Sequence, residues 1–217
     1  MAVRSRRPSY VSIAYDEIRT MILSGELAPG SRLTVRPLAD RLDLSPTPIR
    51  TALATLERQG MLEGHEHRGY FVPTLGRDDM LDIYEVREAV DTIASRRAAR
   101  APDRDALVET LDGLLKEQRR FVRKGDIDSY AELDMRFHRT IWYGSGNHRL
   151  AAVCENLAGQ LRIGNNISAR APGRPEASLD EHLEIVDAIR AGDSRAAASA
   201  TRRHVRLASA ALAELLG

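Results

Sequence analysis

Past Arg77 the sequence shows helical periodicity without one β-rich run, cut only by five short stop-and-cap signals. These are Ala101-Pro102-Asp103, Gly125-Asp126, Gly144-Ser145-Gly146, Ala171-Pro172-Gly173 and Gly192-Asp193. Pro lacks the amide donor a helix interior needs, Gly accepts the left-handed backbone of a helix end, and Asp accepts from the free amides of the next helix. The pattern predicts six helices, over 77–100, 103–124, 126–144, 147–165, 175–191 and 193–216. An all-α antiparallel bundle is the architecture that follows.

The first third follows a different pattern. Ile13, Ile18, Met21 and Ile22 recur with helical spacing, and Ser24-Gly25 followed by Pro29-Gly30 ends that helix. Thr34 is the expected cap of a short second helix, with Pro37 in its first turn and Leu38, Ala39 and Leu42 turned inward. Asp43 marks a sharp turn, and Ser45 caps a third helix that opens on Pro46 and buries Ile49, Leu53 and Leu56. Two short helices across a tight turn form a helix-turn-helix. After Gly60, Met61-Leu62-Glu63-Gly64 and Gly69-Tyr70-Phe71-Val72-Pro73 flank a polar tip, His65-Glu66-His67-Arg68, which predicts a hairpin. The fold class expected is mainly α. A winged helix-turn-helix with a small β-hairpin wing occupies 1–73, a linker 74–76, and a six-helix bundle 77–217.

Composition narrows the function classes. No stretch approaches the roughly 18 apolar residues of a membrane span, and Met1 to Tyr10 lacks the apolar core of a secretory signal. A cytoplasmic chain with no membrane partner is expected. Cys154 is the only cysteine among 217 residues, which excludes an intrachain disulfide and any cysteine-built zinc cluster. With 32 Lys+Arg against 31 Asp+Glu, global charge does not announce a nucleic-acid partner. The slight basic excess sits at the N-terminal end, where Arg4, Arg6 and Arg7 form a short arm.

The third helix has the chemistry of a DNA reader at its N-terminal end. Ser45-Pro46-Thr47-Pro48-Ile49-Arg50 offers small capping residues and a base, and Thr47 and Arg50 share a face away from the buried stripe. Arg36, at the start of the second helix, reaches the same groove or its edge, to hold a guanine or to neutralise a phosphate. His65 and His67 alternate on the wing without a third ligand nearby, so they read as wing polarity.

The run Leu27-Ala28-Pro29-Gly30-Ser31-Arg32-Leu33, then Leu38 to Leu53, Leu56-Glu57-Arg58-Gln59-Gly60 and Arg68-Gly69-Tyr70-Phe71-Val72 resembles the winged helix of GntR-family bacterial transcription regulators. The resemblance covers nearly all of residues 10–73. It implies DNA contacts from Arg36, Thr47 and Arg50, and a wing shaped by Gly69 whose tip, near His65, probes the minor groove. Ser45 and Arg68 complete the expected DNA-contacting set. Pro46 stands where many members carry a second base-reading Arg, and Asp43 stands where Gly usually makes the turn.

Within the bundle, Asp134-Met135-Arg136-Phe137-His138 puts a carboxylate and an imidazole four apart on the face of Ile141. His182 shares its helix side with Ile185, Val186 and Ile189, and His204 lies alongside Ala197, Ala200, Leu207 and Ala211. Any one of these histidines can be a hydrogen-bonded core residue. Together, three inward imidazoles and one carboxylate call for a shared partner, and a divalent transition metal satisfies all four. Zinc is the first expectation, with nickel, manganese, iron or copper as alternatives.

The quartet, with Asp82-Ile83-Tyr84-Glu85-Val86-Arg87, Glu181-His182 and Arg203-His204-Val205, resembles the all-helical FCD effector domain of the FadR branch of the GntR family, over about 77–216. That resemblance implies a metal in the bundle whose coordination a small carboxylate effector completes. It also implies a homodimeric repressor on a palindromic double-stranded operator, and the six-helix count points to the VanR-like subgroup. Arg87 lies near the stripe of Ile83, Val90 and Ala94 and either turns inward to fork an effector carboxylate or stays at the edge. Arg162, Asn165 and Asn166 are further pocket candidates, while Tyr84 and Trp142 read as packing residues. Two other readings stay open at this point: a hydrolase using the same metal to activate water, for which no residue stands out as general base, and a protein-docking winged helix.

Overall fold

The computed structural model describes residues 9–217, so the basic arm of Arg4, Arg6 and Arg7 lies outside the described residues. The chain divides into two compact units between Leu75 and Gly76.

The first unit runs α1 (Tyr10–Leu23), β1 (Arg32–Leu33), α2 (Val35–Leu42), α3 (Pro46–Arg58), β2 (Glu63–His65) and β3 (Gly69–Phe71). Ala14, Ile18 and Ile22 of α1 bury against Ile49, Ala52, Leu53 and Leu56 of α3, and Leu38 and Ala39 of α2 close the same core. Asp43 ends α2 in the left-handed region at φ 52°, ψ 45°, a conformation Asp tolerates better than most non-Gly residues. The turn keeps its shape without Gly. Thr34 and Ser45 stand at the two helix caps with extended backbones, but neither side chain makes the capping bond.

The sheet has one strand more than the hairpin read from sequence. Its order is β1-β3-β2, all antiparallel, with Arg32 opposite Phe71 and His65 opposite Gly69. At two residues, β1 is too short to carry an alternating pattern, and only pairing with β3 makes it a strand. The Arg32 guanidinium Nε donates to the Arg68 carbonyl at 2.7 Å, which fastens β1 to the wing turn. Gly69 sits at φ +91°, and a Cβ there would lie 2.8 Å from the Leu33 carbonyl. Any side chain at 69 would both strain its own backbone and push β1 away.

The second unit is six helices: α4 (Arg77–Ala98), α5 (Arg104–Lys124), α6 (Ile127–Gly144), α7 (His148–Ser168), α8 (Arg174–Arg190) and α9 (Ser194–Leu216). Asp126, Asn147 and Asp193 accept from the first amides of α6, α7 and α9, and Gly125 ends α5 at φ 68°. Helix α4 lies along α9, α9 along α8, and α5 against both α6 and α8. Helix α7 runs to Ser168, three residues past the end read from sequence, because the Asn165 amide is bonded to other helices and does not compete for its own backbone. Among the described residues no helix is long and apolar enough to cross a membrane.

Candidate metal centre and nucleic-acid interface

In the first unit, the residues expected to meet DNA are on the surface. Arg36 opens α2, Ser45 and Thr47 stand at the start of α3, and Arg50 follows one turn later, all exposed. Neither Arg36 nor Arg50 has a carboxylate within 4 Å among the described residues, so both guanidiniums are free for an anionic partner. His65 ends β2 with its ring edge against Phe71, 4.9 Å between centroids, and Arg68 lies 5.9 Å from the same ring. His65 and His67 each have a glutamate nearby, and among the described residues no third ligand joins them.

In the second unit α6, α8 and α9 bring the four expected ligands together. His138, His182 and His204 are buried, and their candidate ligand nitrogens all lie within 4.8 Å of one another. The Asp134 carboxylate stands 3.5 Å from His182 Nε2 and 3.9 Å from His138 Nε2. His204 Nε2 is 3.2 Å from His138 Nε2. The companion nitrogens face oxygens: His138 Nδ1 looks at Asp91 Oδ2 at 3.4 Å, His204 Nδ1 at Glu181 Oε2 at 2.7 Å, and His182 Nδ1 at Gln118 Oε1 at 3.2 Å. An oxygen of this kind only accepts, so the three Nδ1 atoms hold the hydrogens and the three Nε2 atoms present lone pairs. Lone pairs converging on one buried point repel unless a cation lies between them. The orphaned, fully buried His182 Nε2 marks the same need. Three imidazole nitrogens and a carboxylate, each imidazole oriented from behind by an acceptor, fit a divalent transition metal.

His182 is held well below the ordinary histidine range by burial first and by His204 and His138 next, and His204 by burial and then His138. Asp91 is driven up by burial, but the bond from His138, the charge of Arg87 and the Trp142 indole together outweigh that and hold it below the usual carboxylate value. In metal-free protein the two depressed histidines refuse protons that the unfolded chain accepts below about pH 6.5. Stability is therefore flat above that pH and falls on acidification by up to about 2.7 kcal/mol per pH unit for the pair. Urea unfolding of chelator-treated protein at pH 7.5, 6.5 and 5.5 checks this. A midpoint that does not move would show that the two rings are not buried neutral.

Arg87 turns inward and is 1% exposed. Its Nε donates to Asp91 at 3.3 Å and its Nη1 to Asn165 Oδ1 at 2.7 Å. Asn165 also accepts from the Tyr84 hydroxyl at 2.8 Å and donates to Asp134 at 2.7 Å, so it joins the arginine to the ligand set. A cavity of about 20 Å³, space for one water-sized group, is lined by Arg87, Asp134, Asn165, Arg174 and His204.

Some expectations need correction. Arg162 does not line this cavity; its guanidinium reaches Glu132 at 3.5 Å, and Asn166 serves Arg170. Leu207 is 44% exposed and not on the His204 side, which is made by Ala197, Ala200, Thr201, Ala208 and Leu212. Tyr84 and Trp142 do more than pack, since the Trp142 indole donates to Asp91 at 2.5 Å. Asp91, Gln118 and Arg174 were not singled out from sequence, and Glu181 entered only within the Glu181-His182 motif. Arg174 forks Glu181 at 2.7 and 2.6 Å, and the signal was a basic and an acidic residue seven apart on one helix face. Gln118 breaks the apolar stripe of Leu111, Leu114 and Leu115. Cys154 is a buried free thiol, pushed above its ordinary value by burial.

Residues 11–72 match the family described as bacterial regulatory proteins, gntR family, and residues 82–207 match the FCD domain. An uncharacterized HTH-type transcriptional regulator from an unstable DNA locus of Streptomyces ambofaciens is 30% identical over 193 residues, 88% of this chain and 80% of the relative. The probable D-xylose utilization operon transcriptional repressor of Paenarthrobacter nicotinovorans is 28% identical over 203 residues, 93% and 88% of the two chains. Among solved structures, E. coli McbR/YncC shares the fold with a TM-score of 0.78, at 22% identity over 95% of this chain and 98% of that one. The hydrolase alternative finds no support in a family of regulators. A winged helix with uncommitted arginines and a helical unit with a buried histidine cluster are thus the two parts of one kind of molecule, and the chain belongs to the GntR family of DNA-binding transcriptional regulators, in its FCD-containing branch.

Proposed function

We propose that this protein is a metal-dependent, effector-responsive repressor of the VanR-like subgroup, acting in the cytoplasm as a homodimer on a palindromic operator. The observation that carries the reading is the meeting of three imidazole Nε2 atoms beside a cavity lined by two buried guanidiniums, in the same chain as a winged helix. In this reading residues 1–73 bind DNA, 74–76 link, and 77–217 hold the ligands and the dimer contact. Arg36, Thr47 and Arg50 contact the major groove, with Ser45 at the α3 terminus, and the wing of His65, Arg68 and Gly69 lies along the minor groove. Asp134, His138, His182 and His204 hold zinc, which supplies a Lewis-acidic anchor for an effector carboxylate. Arg87 and Asn165 receive that carboxylate, and Arg162 has no part in it. Exposed Val86 and Ile93, seven apart on α4, support a dimer contact on this unit. A relative named for D-xylose utilization fits an effector drawn from carbon-source metabolism. The effector alters DNA affinity only by preferring one arrangement of the dimer.

The test is fluorescence-anisotropy titration of zinc-loaded protein against duplex from upstream of its own gene and from genes beside it, with an unrelated duplex as control. Preference of about 10³-fold or more, falling with salt, is the expected result. Equal weak binding to all duplexes would overturn the operator reading.

A further inference from the structure

The last turns of α4 carry three arginines that the fold leaves almost unused. Arg96, Arg97 and Arg100 are exposed, and with Asp103 and Tyr143 they line a cavity of about 450 Å³ between the end of α4 and the turn after α6. A cavity of that volume holds a small organic molecule. Arg97 commits one donor, its Nε reaching the Ser145 carbonyl at 3.1 Å. The Arg96 and Arg100 guanidiniums make no hydrogen bond or ion pair among the described residues. Basic side chains at a helix end often cap its last carbonyls. Here that task is already done by chain amides, since Ala99 donates to Ser95, Arg100 to Arg97, Ala101 to Ala98 and Arg104 to Ala101. The α6 end is closed in the same way, by the Ser145 and Gly146 amides on Ile141 and Tyr143. What remains to oppose the arginines is about half a negative charge of macrodipole at each helix end, and the Asp103 carboxylate, which pairs with none of them. Roughly two negative charges thus face three positive ones.

We propose that this cavity is a second ligand site, separate from the histidine centre, and that it takes a small phosphomonoester. A phosphomonoester carries close to two negative charges at neutral pH and three terminal oxygens, and guanidiniums fork such oxygens. Arg96 and Arg100 stand four apart on one face of α4, so two open forks serve one group. A carboxylate, with one charge and two oxygens, would need only one of them. Tyr143 supplies a surface for the organic part, being 54% exposed with its hydroxyl held on Glu155 at 3.0 Å. The turn beneath is fixed before any ligand arrives. Gly144 packs so closely on Leu107 that a Cβ there would lie 2.6 Å from it, and the Ser145 hydroxyl closes on the Trp142 carbonyl at 2.6 Å. A site already built loses little freedom on binding. It shares no lining residue with the small cavity beside the imidazoles, so the proposal does not depend on the metal reading.

The experiment is isothermal titration of the full chain at constant ionic strength, with zinc and after chelation, using ribose 5-phosphate and inorganic phosphate as probes and ribose and acetate as controls. Ribose 5-phosphate should bind both forms alike, and ribose and acetate should bind at least about tenfold more weakly. Arg96→Gln and Arg100→Gln should each weaken ribose 5-phosphate by at least about tenfold. Neither side chain has a partner to lose, so unfolding midpoints should match wild type; Arg97 is left in place because it holds the Ser145 carbonyl. Arg119→Gln makes the same charge change at an exposed residue of α5 that does not line the cavity, and should leave binding unmoved. Failure of both phosphate probes to bind, or equal weakening by Arg119→Gln, would overturn the proposal and leave the arginines a solvated face. Binding that requires zinc would place the phosphate at the histidine centre and overturn it too. An unrelated DNA duplex, titrated in parallel, separates the remaining source of phosphate: if the two cavity variants lose duplex affinity and not ribose 5-phosphate affinity, the arginines serve a nucleic-acid backbone and the small-ligand site is refuted.

Discussion

We expect His138→Ala to pass through gel filtration with essentially no zinc, where the wild type should carry close to one equivalent, and its zinc affinity to fall by more than about 100-fold. The figure is a lower bound, since residues that merely orient a ligand change affinity by about 10–100-fold, and His138 presents its own Nε2 to the point. Its ring stands 3.2 Å from His204 Nε2 and 3.9 Å from Asp134, at the centre of the donor set, so no neighbour can replace it. The same variant leaves the Asp91 carboxylate facing an empty space with Arg87 and Trp142 still bonded to it. The chain therefore folds, and its operator binding without effector is retained while the response to effector is lost. Elemental analysis after desalting, together with anisotropy with and without an organic acid, checks both halves. A variant with unchanged zinc content would show that the histidines are a hydrogen-bonded core cluster.

The second large effect belongs to the winged helix. Arg50→Ala weakens operator binding by about 1–3 kcal/mol, roughly 5–150-fold, if its guanidinium holds a base edge, and relaxes the preference at one base pair. Arg36→Ala weakens all duplexes alike and lowers the slope of log affinity against log salt by about one if its contact is with phosphate. Both side chains are exposed and, among the described residues, without a carboxylate partner, so neither substitution removes an ion pair of the fold. Unfolding midpoints of the two variants should match wild type. Anisotropy over a salt series, on operator and on single-base-pair variants of it, separates the two roles; unchanged affinity in both variants would move the DNA contact to another face.

Much of this was legible in the sequence because the deciding signals are local. Pro, Gly and Asp at the helix breaks act within one turn, and Asp43 takes its left-handed turn from its own side-chain chemistry. The meeting of His138, His182 and His204 was legible for the same reason, since each histidine sits in an apolar stripe that fixes which way it points. What lies behind the ligands was not. Asp91, Glu181, Gln118 and Arg174 come from α4, α5 and α8, and periodicity says which face a residue occupies but not what stands opposite it. Arg162 shows the converse, a position that spacing alone does not place. It is three residues before Asn165 on α7, yet its long side chain reaches Glu132 and not the cavity. The β1 strand was missed because two residues hold no pattern of their own, and their pairing partner lies almost forty residues along the chain.

Trp142 is the only tryptophan in the chain, and its indole hydrogen bonds to the same Asp91 carboxylate whose other oxygen faces His138. The protein thus carries its own optical reporter two contacts from the point where the imidazoles converge. Whatever draws His138 toward that point changes the electron density Asp91 offers the indole, and so the wavelength and intensity of an emission that red-edge excitation, beyond the absorption of the six tyrosines, draws from this residue alone. Ligand occupancy can be followed in the unlabelled protein by light alone.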